Sequence, residues 1–199
     1  AWDAGAEPDV LPPVPDDPRA LARALRAVRG HDAIVTVGGV SVGERDLVRA
    51  ALAEAGARID FWRVAMRPGK PFAFGRWGPA AVFALPGNPA SALVTFELFV
   101  RPALRTLAGL AGSGRLRLRA RLGERVEKPA ELTVFARATL RAGPVGLVVT
   151  PLPSQVSGNL TSSVMVDALA VLPPGKRSFA RGAILEAIVL RPPESGEAR

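Results

Sequence analysis

The stretch Ile34-Val-Thr-Val-Gly-Gly-Val-Ser-Val-Gly-Glu-Arg-Asp46 decides the fold of the first half of this chain. Its first four residues are apolar or β-branched, as is typical of a buried strand, and a glycine-rich turn follows them directly. Ser41 and Glu44 have the spacing of a capping box, so we expect a helix to begin at Ser41 and to end near Ala55, before Gly56. The stretch therefore predicts a strand, a glycine turn and a helix in immediate succession.

A turn of this kind can bind an anion. The glycines Gly38, Gly39 and Gly43 allow backbone N–H groups to approach a ligand closely, and the following helix directs the positive end of its dipole to the same place. Asp46 falls in the first helical turn, where a carboxylate beside a bound anion is unfavourable unless a cation lies between them. Two interpretations of Asp46 follow: it is a metal ligand or polar acceptor, or it simply interacts favourably with the helix dipole.

The chain repeats this pattern of a buried strand, a tight turn and a helix. An apolar strand leads into Pro86-Gly-Asn-Pro89 and then into a helix over residues 90–107, in which Pro102 should produce a kink or a break. Asn88 and Ser91 are polar groups at this turn. Because ligands bind at the carboxyl ends of the strands in open α/β sheets, we expect both turns to contribute to one ligand site.

Two basic residues stand on a turn that cannot be helical. Met66-Arg-Pro-Gly-Lys-Pro71 contains two prolines and a glycine, so Arg67 and Lys70 are displayed on a stiff loop. An arginine can contact an oxyanion through two N–H groups, and a lysine acts as a point charge. These residues are therefore candidates for binding an oxyanion, and the alternative is an ordinary basic surface turn.

The order of the elements predicts two domains. Helices and strands alternate as far as residue 107, which indicates parallel strands with right-handed crossovers in a doubly wound α/β layer. A run of small residues then forms a linker, and the β segments after it, separated by proline and glycine turns, predict a small all-β barrel-like domain. The predicted organisation is an α/β domain at 1–108, a linker at 109–114, a β domain at 115–192 and a disordered tail at 193–199.

The composition restricts the classes of function. The formal net charge of +8 raises the question of nucleic acid, but no aromatic residue lies among the arginines of the alternating segment Arg115–Leu122. We therefore favour small anionic ligands over nucleic acid. The chain has no cysteine, no apolar run of the roughly 18 residues that a membrane span needs, and no signal or transit pattern, which favours a cytoplasmic protein without membrane contact. The single histidine, His31, is expected at the surface.

The motifs described above resemble those of a known family. Four motifs of this chain resemble motifs of the molybdopterin molybdenumtransferases, which are bacterial relatives of the gephyrin E domain. They occur in the same order and spacing as in that family: Gly38–Asp46, Met66–Pro71, Leu85-Pro-Gly-Asn-Pro-Ala-Ser91 and Thr95-Phe-Glu-Leu-Phe-Val-Arg-Pro102. The resemblance is close over residues 5–107 and looser over 116–190. It implies a three-layer, MogA-like α/β domain that lacks its first strand, followed by the β domain, as the C-terminal portion of a longer protein or as a shortened paralogue.

The resemblance also implies an activity and assigns roles to the candidate residues. In that family an adenylylated molybdopterin binds the α/β domain, molybdate is inserted into its dithiolene, and AMP is released with the help of a divalent cation. By position, the catalytic residues are Asp46, Lys70 and Arg67. The cofactor-binding residues are Gly38, Gly39, Ser41, Gly43, Pro86, Gly87, Asn88, Ser91 and Ser157, and Asp46 and Asp16 would bind Mg²⁺.

The chain departs from the family pattern in two places. The sequence does not contain the family's first α/β strand with its Thr-Gly-Asp-Glu-like turn, or the two domains before it. In the β domain, Leu132 stands three residues before Phe135, where an arginine is expected, and Arg137 is the nearby replacement. Two hypotheses follow: a molybdenum-inserting homodimeric transferase with other molybdenum cofactor biosynthesis proteins as partners, or a catalytically impaired module that binds molybdopterin or another anion, or acts as a scaffold.

Overall fold

The structure, a computed structural model, describes residues 1–39, 47–112, 114–155 and 166–191. It divides the chain into two compact units. The first unit comprises Ala1–Val64 and Gly69–Gly114, and the second comprises Ala65–Pro68 and Arg115–Arg199. The short segment 65–68 therefore belongs to a different unit from the residues on either side of it. The predicted tail at 193–199 lies outside the described residues.

The described elements are labelled in chain order. The helices are α1 (Pro18–Ala27), α2 (Leu47–Glu54), α3 (Pro89–Thr95) and α4 (Arg101–Leu107), with a 3₁₀ turn at Trp2–Ala4 and a π-helical turn at Phe96–Val100. The strands are β1 (Ala33–Val37), β2 (Arg58–Trp62), β3 (Met66–Arg67), β4 (Ala73–Trp77), β5 (Ala80–Leu85), β6 (Arg117–Leu122), β7 (Val126–Glu127), β8 (Thr133–Gly143), β9 (Gly146–Pro151), β10 (Ala168–Leu172), β11 (Ser178–Phe179) and β12 (Ile184–Val189). None of the described helices has the length and apolar character that crossing a membrane requires.

The sheet of the first unit is mixed rather than parallel. Its strand order is β1-β5-β4-β2, and β1 pairs in parallel with β5, from Ala33 opposite Ala81 to Val37 opposite Leu85. The strands β4 and β5 form an antiparallel hairpin, from Ala73 opposite Ala84 to Trp77 opposite Ala80. The expectation of a parallel strand is wrong for β2, because its neighbour is the first strand of that hairpin, with which it pairs antiparallel.

Helices cover both faces of this sheet. Val82 of β5 lies in a core cluster with Leu25 of α1 and Leu52 of α2, whereas its neighbour Phe83 lies in a cluster with Leu104 of α4. Successive side chains of a strand point to opposite faces, so β5 is buried between two helical layers. The predicted three-layer α/β architecture is therefore confirmed.

The residues at the start of the first helix explain where it begins. Asp17 is the N-cap of α1, and its Oδ2 accepts a 2.7 Å hydrogen bond from the N–H of Ala20. Pro18 occupies the first helical position. A backbone N–H at this position has no acceptor within the helix, so a proline costs no hydrogen bond there.

Pro102 divides the long helical segment after β5, as its position predicts. The α-helix α3 ends at Thr95, the π-helical turn follows, and α4 begins at Arg101. Pro102 has no N–H to donate to the carbonyl four residues earlier. The N–H of Arg101 donates instead to the carbonyl of Phe96, five residues back. The wider turn accommodates the proline without ending the helical run.

The second unit contains a closed five-stranded barrel. The strands pair in the order β10-β12-β6-β9-β8, and β8 pairs back with β10. Along β6 the arginines Arg117, Arg119 and Arg121 are exposed, whereas Ala120 and Leu122 are buried in the barrel core. This two-residue alternation is the one that the sequence predicts. The predicted barrel-like β domain is confirmed.

A strand from the middle of the chain joins this second unit. Met66 and Arg67 form β3, which pairs in parallel with Thr133 and Val134 of β8. The sequence predicts only a turn here, because two residues are too few to display a strand period and their partner is distant in the chain.

Candidate functional site

Two turns meet at the carboxyl ends of β1 and β5. Because these strands are parallel neighbours, the turn at Gly38 and Gly39 lies beside the turn at residues 86–88. The N–H of Gly38 donates a 3.0 Å hydrogen bond to the carbonyl of Leu85. A Cβ atom added to Gly87 would lie 3.1 Å from the Cα of Gly38. The absence of side chains at both positions therefore allows the two backbones to approach each other closely.

Gly39 is required both for its backbone conformation and for the space it leaves. Its φ of +70° lies in the left-handed region that favours glycine. A Cβ atom at this position would overlap the side chain of Val48 in α2, which is itself buried. The turn after β1 is thus packed directly against the helix that follows it.

Backbone N–H groups at the two turns are suited to an anion. Asn88 is the N-cap of α3, and its Oδ1 accepts hydrogen bonds of 3.2 and 3.4 Å from the N–H groups of Ala90 and Ser91. The N–H groups of Gly39, Gly87 and Asn88 donate no backbone hydrogen bond within the described part of the chain. Three such donors near a helix N-terminus can interact with a phosphate or another oxyanion.

Ser91 stands in the first turn of α3 and is 8% exposed. Its carbonyl accepts a 2.8 Å hydrogen bond from the hydroxyl of Thr95, which fixes the backbone of this turn. Of the predicted cofactor-binding residues, the structure brings together Gly38, Gly39, Pro86, Gly87, Asn88 and Ser91 on two adjacent turns of the first unit.

The two predicted cations belong to different units. Lys70 is exposed in the first unit, where its carbonyl accepts a 2.9 Å hydrogen bond from the N–H of Val64. Arg67 is exposed on β3 in the second unit, and its peptide bond to Pro68 is cis. A joint role of Arg67 and Lys70 in binding one oxyanion stays a prediction.

Of the two predicted metal ligands, the structure describes Asp16 but not Asp46. Asp16 is exposed just before α1. The described histidine, aspartate and glutamate side chains nowhere form a group of three or more that could hold a metal ion. Asp46, Ser41, Gly43 and Ser157 lie outside the described residues, so their roles stay predictions.

A buried hydroxyl close to the turns was not predicted. Thr36 on β1 comes two residues before Gly38, and its Oγ1 is buried with no hydrogen-bond partner among the described residues. A threonine within an apolar segment is typical of any β-strand, so the sequence contains no signal that would single it out.

Arg137 is held inside the second unit. It is 1% exposed, its Nη2 donates to the carbonyl of Ser154 at 3.2 Å, and burial lowers the pKa of its guanidinium. The Gln155 amide accepts from the N–H of Arg137 at 3.1 Å and donates to its carbonyl at 2.9 Å. Together these contacts fix the chain after β9 against β8, and the role of Arg137 as the replacement arginine stays a prediction.

The single histidine contacts a carboxylate at the surface. The Nε2 atom of His31 lies 2.8 Å from Oδ2 of Asp9, and its Nδ1 lies 3.0 Å from the carbonyl of Val28. The hydrogen bond to Asp9 raises the pKa of His31 above its usual value. The pair ties the proline-rich segment before α1 to the end of that helix.

Both units are similar to known protein families. Residues 2–106 match the family described as "Probable molybdopterin binding domain", and residues 119–190 match "MoeA C-terminal region (domain IV)". The molybdopterin molybdenumtransferase of Bacillus subtilis is 32% identical over 198 residues, which cover 99% of this chain and 46% of that protein. The protein of the same name from Nostoc sp. is 37% identical over 193 residues, covering 89% of this chain and 42% of its own length.

A solved structure shares the fold. The molybdopterin biosynthesis MoeA protein from Pyrococcus horikosii superposes with a TM-score of 0.74 and 28% sequence identity, covering 88% of this chain and 42% of that chain. The chain thus spans about half the length of the curated relatives it matches.

Proposed function

The chain belongs to the molybdopterin-binding domain family, and on this premise we propose that it acts in molybdenum cofactor biosynthesis by binding adenylylated molybdopterin, its substrate, at the turns after β1 and β5. The observation that supports this proposal most directly is the contact between Gly38 and Gly87. It joins two turns of the unit that matches the family, and each turn follows a strand at its carboxyl end, where open α/β sheets bind ligands.

The two turns suit the anionic part of that substrate. Phosphate oxygens accept hydrogen bonds from the N–H groups of Gly39, Gly87 and Asn88, and the hydroxyl of Ser91 adds a donor on the first turn of α3. Lys70 contributes a positive charge from the same unit. The formal net charge of +8 attracts anionic ligands to the protein as a whole.

The proposed reaction is the insertion of molybdate into the dithiolene of the substrate, with release of AMP. Arg67 and Lys70 hold the molybdate oxyanion, Asp46 is the catalytic carboxylate, and Ser157 adds a hydroxyl. Mg²⁺, with Asp46 and Asp16 as its proposed ligands, would offset negative charge on the phosphates.

The proposed cellular setting also comes from the family resemblance. The protein acts in the cytoplasm as a homodimer, alongside other proteins of molybdenum cofactor biosynthesis. Light scattering on the purified chain tests the dimer: the expected mass is twice the 20.8 kDa of one chain. A monomeric mass at every concentration would contradict it.

Calorimetric titration with AMP and with molybdate tests the site. Lys70→Ala should weaken binding about tenfold, as expected for the loss of one charge-assisted contact. Lys176→Ala is the matched control, because Lys176 is an exposed lysine in the second unit. If the two variants bind AMP and molybdate as tightly as the unmodified chain, the assignment of Lys70 to the site is wrong.

A second assay separates the transferase from a binding module. The chain is incubated with adenylylated molybdopterin and molybdate, and released AMP is measured. Release of AMP that depends on molybdate supports the transferase. Retention of the ligand with no release of AMP supports the binding or scaffold module.

A further inference from the structure

A lysine is buried in the second unit without an acidic partner. Lys128 follows β7 directly and is 8% exposed. Among the described residues, no carboxylate lies within ion-pair distance of its Nζ atom. The Nζ atom donates instead to two backbone carbonyls, at 2.9 Å to Pro129 and at 2.8 Å to Leu132. Because lysines are seldom buried unless their charge is paired, these two contacts indicate a specific role for Lys128.

The strand β11 and the residue before it hold Lys128 in place. The N–H of Lys128 donates a 2.8 Å hydrogen bond to the carbonyl of Arg177. Its Nζ atom lies 5.8 Å from the ring centroid of Phe179, a buried residue of β11. A cation at this distance over an aromatic face is attracted to the ring. The ammonium group is therefore fixed by the ring as well as by the two carbonyls.

The carbonyl of Leu132 belongs to a peptide group that also holds β3. The N–H of the same peptide group is that of Thr133, and it donates a 3.1 Å hydrogen bond to the carbonyl of Ala65, directly before β3. A peptide group is planar and rigid, so a contact that fixes its oxygen also fixes its N–H. A hydrogen bond at one end of the group polarises it and strengthens the bond at the other end. Lys128 therefore acts on the attachment of β3 through a single peptide group.

The strand β3 has few contacts that could replace this one. It comprises two residues, and among the described strands it pairs with β8 alone, with Met66 opposite Thr133 and Arg67 opposite Val134. Met66 is buried, whereas Arg67 is exposed. The place from which the Arg67 side chain extends is therefore set by the register of β3 against the first residues of β8.

We propose that Lys128 is a positioning residue for Arg67. Its ammonium group fixes the peptide group between Leu132 and Thr133, which holds β3 in register and keeps the Arg67 guanidinium where an oxyanion can bind. The inference rests on the proposed function, in which Arg67 holds molybdate. Lys128 is buried, and it acts on the ligand through β3 rather than by contact.

A lysine suits this role better than an apolar residue of similar length. Methionine would fill much of the same space, but it would leave the carbonyls of Pro129 and Leu132 without their donor. If Lys128 served only the stability of the barrel, its loss would affect the whole barrel alike. A positioning role predicts instead a local effect at β3.

Hydrogen exchange of individual amides, measured by NMR on the whole chain, tests the attachment of β3. Lys128→Met should speed the exchange of the Thr133 amide about tenfold, because the hydrogen bond to Ala65 loses its support. The amide of Gly123, which donates to the carbonyl of Val149 at 2.9 Å, should keep its exchange rate.

Calorimetric titration with molybdate tests the consequence for Arg67. Lys128→Met should raise the dissociation constant about tenfold in the otherwise unmodified chain and leave it unchanged in a chain that carries Arg67→Ala. Lys176→Met is the matched control, because Lys176 is an exposed lysine of the same unit. It should change neither the exchange of the Thr133 amide nor the affinity for molybdate.

The two measurements separate this inference from the proposed function. If Arg67→Ala alone leaves molybdate binding unchanged, the proposed role of Arg67 fails, and the exchange rates still decide whether Lys128 holds β3. The inference is overturned if Lys128→Met leaves the exchange of Thr133 unchanged, speeds it equally at Gly123, or weakens molybdate binding as strongly when Arg67 is already alanine. If circular dichroism shows that Lys128→Met is misfolded, Lys128→Gln replaces it with the same expected changes, since glutamine lacks the charge.

Discussion

Replacing Gly39 with alanine should destabilise the first unit by about 3 kcal/mol. An L residue in the left-handed region, where Gly39 has its φ of +70°, costs roughly 1–2 kcal/mol, and the lower entropy of the unfolded alanine chain returns about 0.4–1 kcal/mol. The added Cβ also overlaps the buried side chain of Val48, and overpacking of this kind costs about 1–3 kcal/mol.

Gly30→Ala isolates the backbone part of this effect. Gly30 has a φ of +102°, and a Cβ atom added there would meet nothing within 4 Å. The expected loss of stability is therefore about 1 kcal/mol. The remaining difference of about 2 kcal/mol between the two variants measures the contact of Gly39 with α2.

Tryptophan fluorescence during urea denaturation measures both variants. The three tryptophans, Trp2, Trp62 and Trp77, all lie in the first unit, so their signal follows that unit alone. With a dependence of about 2 kcal/mol per molar urea, the unfolding midpoint should fall by about 1.5 M for Gly39→Ala and by about 0.5 M for Gly30→Ala.

Two results would refute this reasoning. One is an equal shift of the midpoint in the two glycine variants, which would mean that Val48 does not limit the space at Gly39. The other is that Gly39→Ala and Val48→Ala change the free energy of unfolding additively when they are combined. Because removal of the Val48 side chain opens the space that the new Cβ needs, the double variant should show a coupling energy of about 2 kcal/mol.

Three further predictions concern other parts of the chain. The NMR resonance of the His31 ring should titrate with a pKa above 6.5, and Asp9→Asn should lower that pKa towards 6.5. Because the pKa of His31 is raised in the folded state, its pairing with Asp9 stabilises the fold below about pH 6.5. This contribution is lost as the pH rises through the raised pKa. Gln155→Leu should destabilise the barrel by about 1–3 kcal/mol, measured by far-ultraviolet circular dichroism in urea, because the N–H of Arg137 loses its acceptor. Thr95→Val should destabilise the first unit by about 1 kcal/mol, measured by tryptophan fluorescence, through loss of the hydrogen bond to the Ser91 carbonyl.

Features that depend on neighbouring residues could be predicted from the sequence. Asp17 and Pro18 mark the start of α1 because capping and the fixed φ of proline act within one helical turn. Pro102 breaks the regular α-helix for the same kind of reason, since its missing N–H affects only the preceding turn. The alternation of β6 predicts which of its residues face the barrel core.

Features that depend on residues distant in the chain could not be predicted from the sequence. The direction of β2 is set by its pairing with β4, and the strand character of Met66 and Arg67 is set by β8. Arg137 in β8 contacts Ser154 and Gln155, which come after the next strand, β9. In each case the deciding contact joins residues that are far apart in the chain, and no local pattern encodes it.

The candidate site could be predicted only in part, because some of its features are local and others depend on which strands are neighbours. The strand and turn patterns predict that both glycine turns stand at strand ends, and the parallel pairing of β1 with β5 puts them side by side. The close approach of Gly38 to Gly87 and the buried hydroxyl of Thr36 emerge only from the tertiary structure, because both depend on which strand is the neighbour of β1.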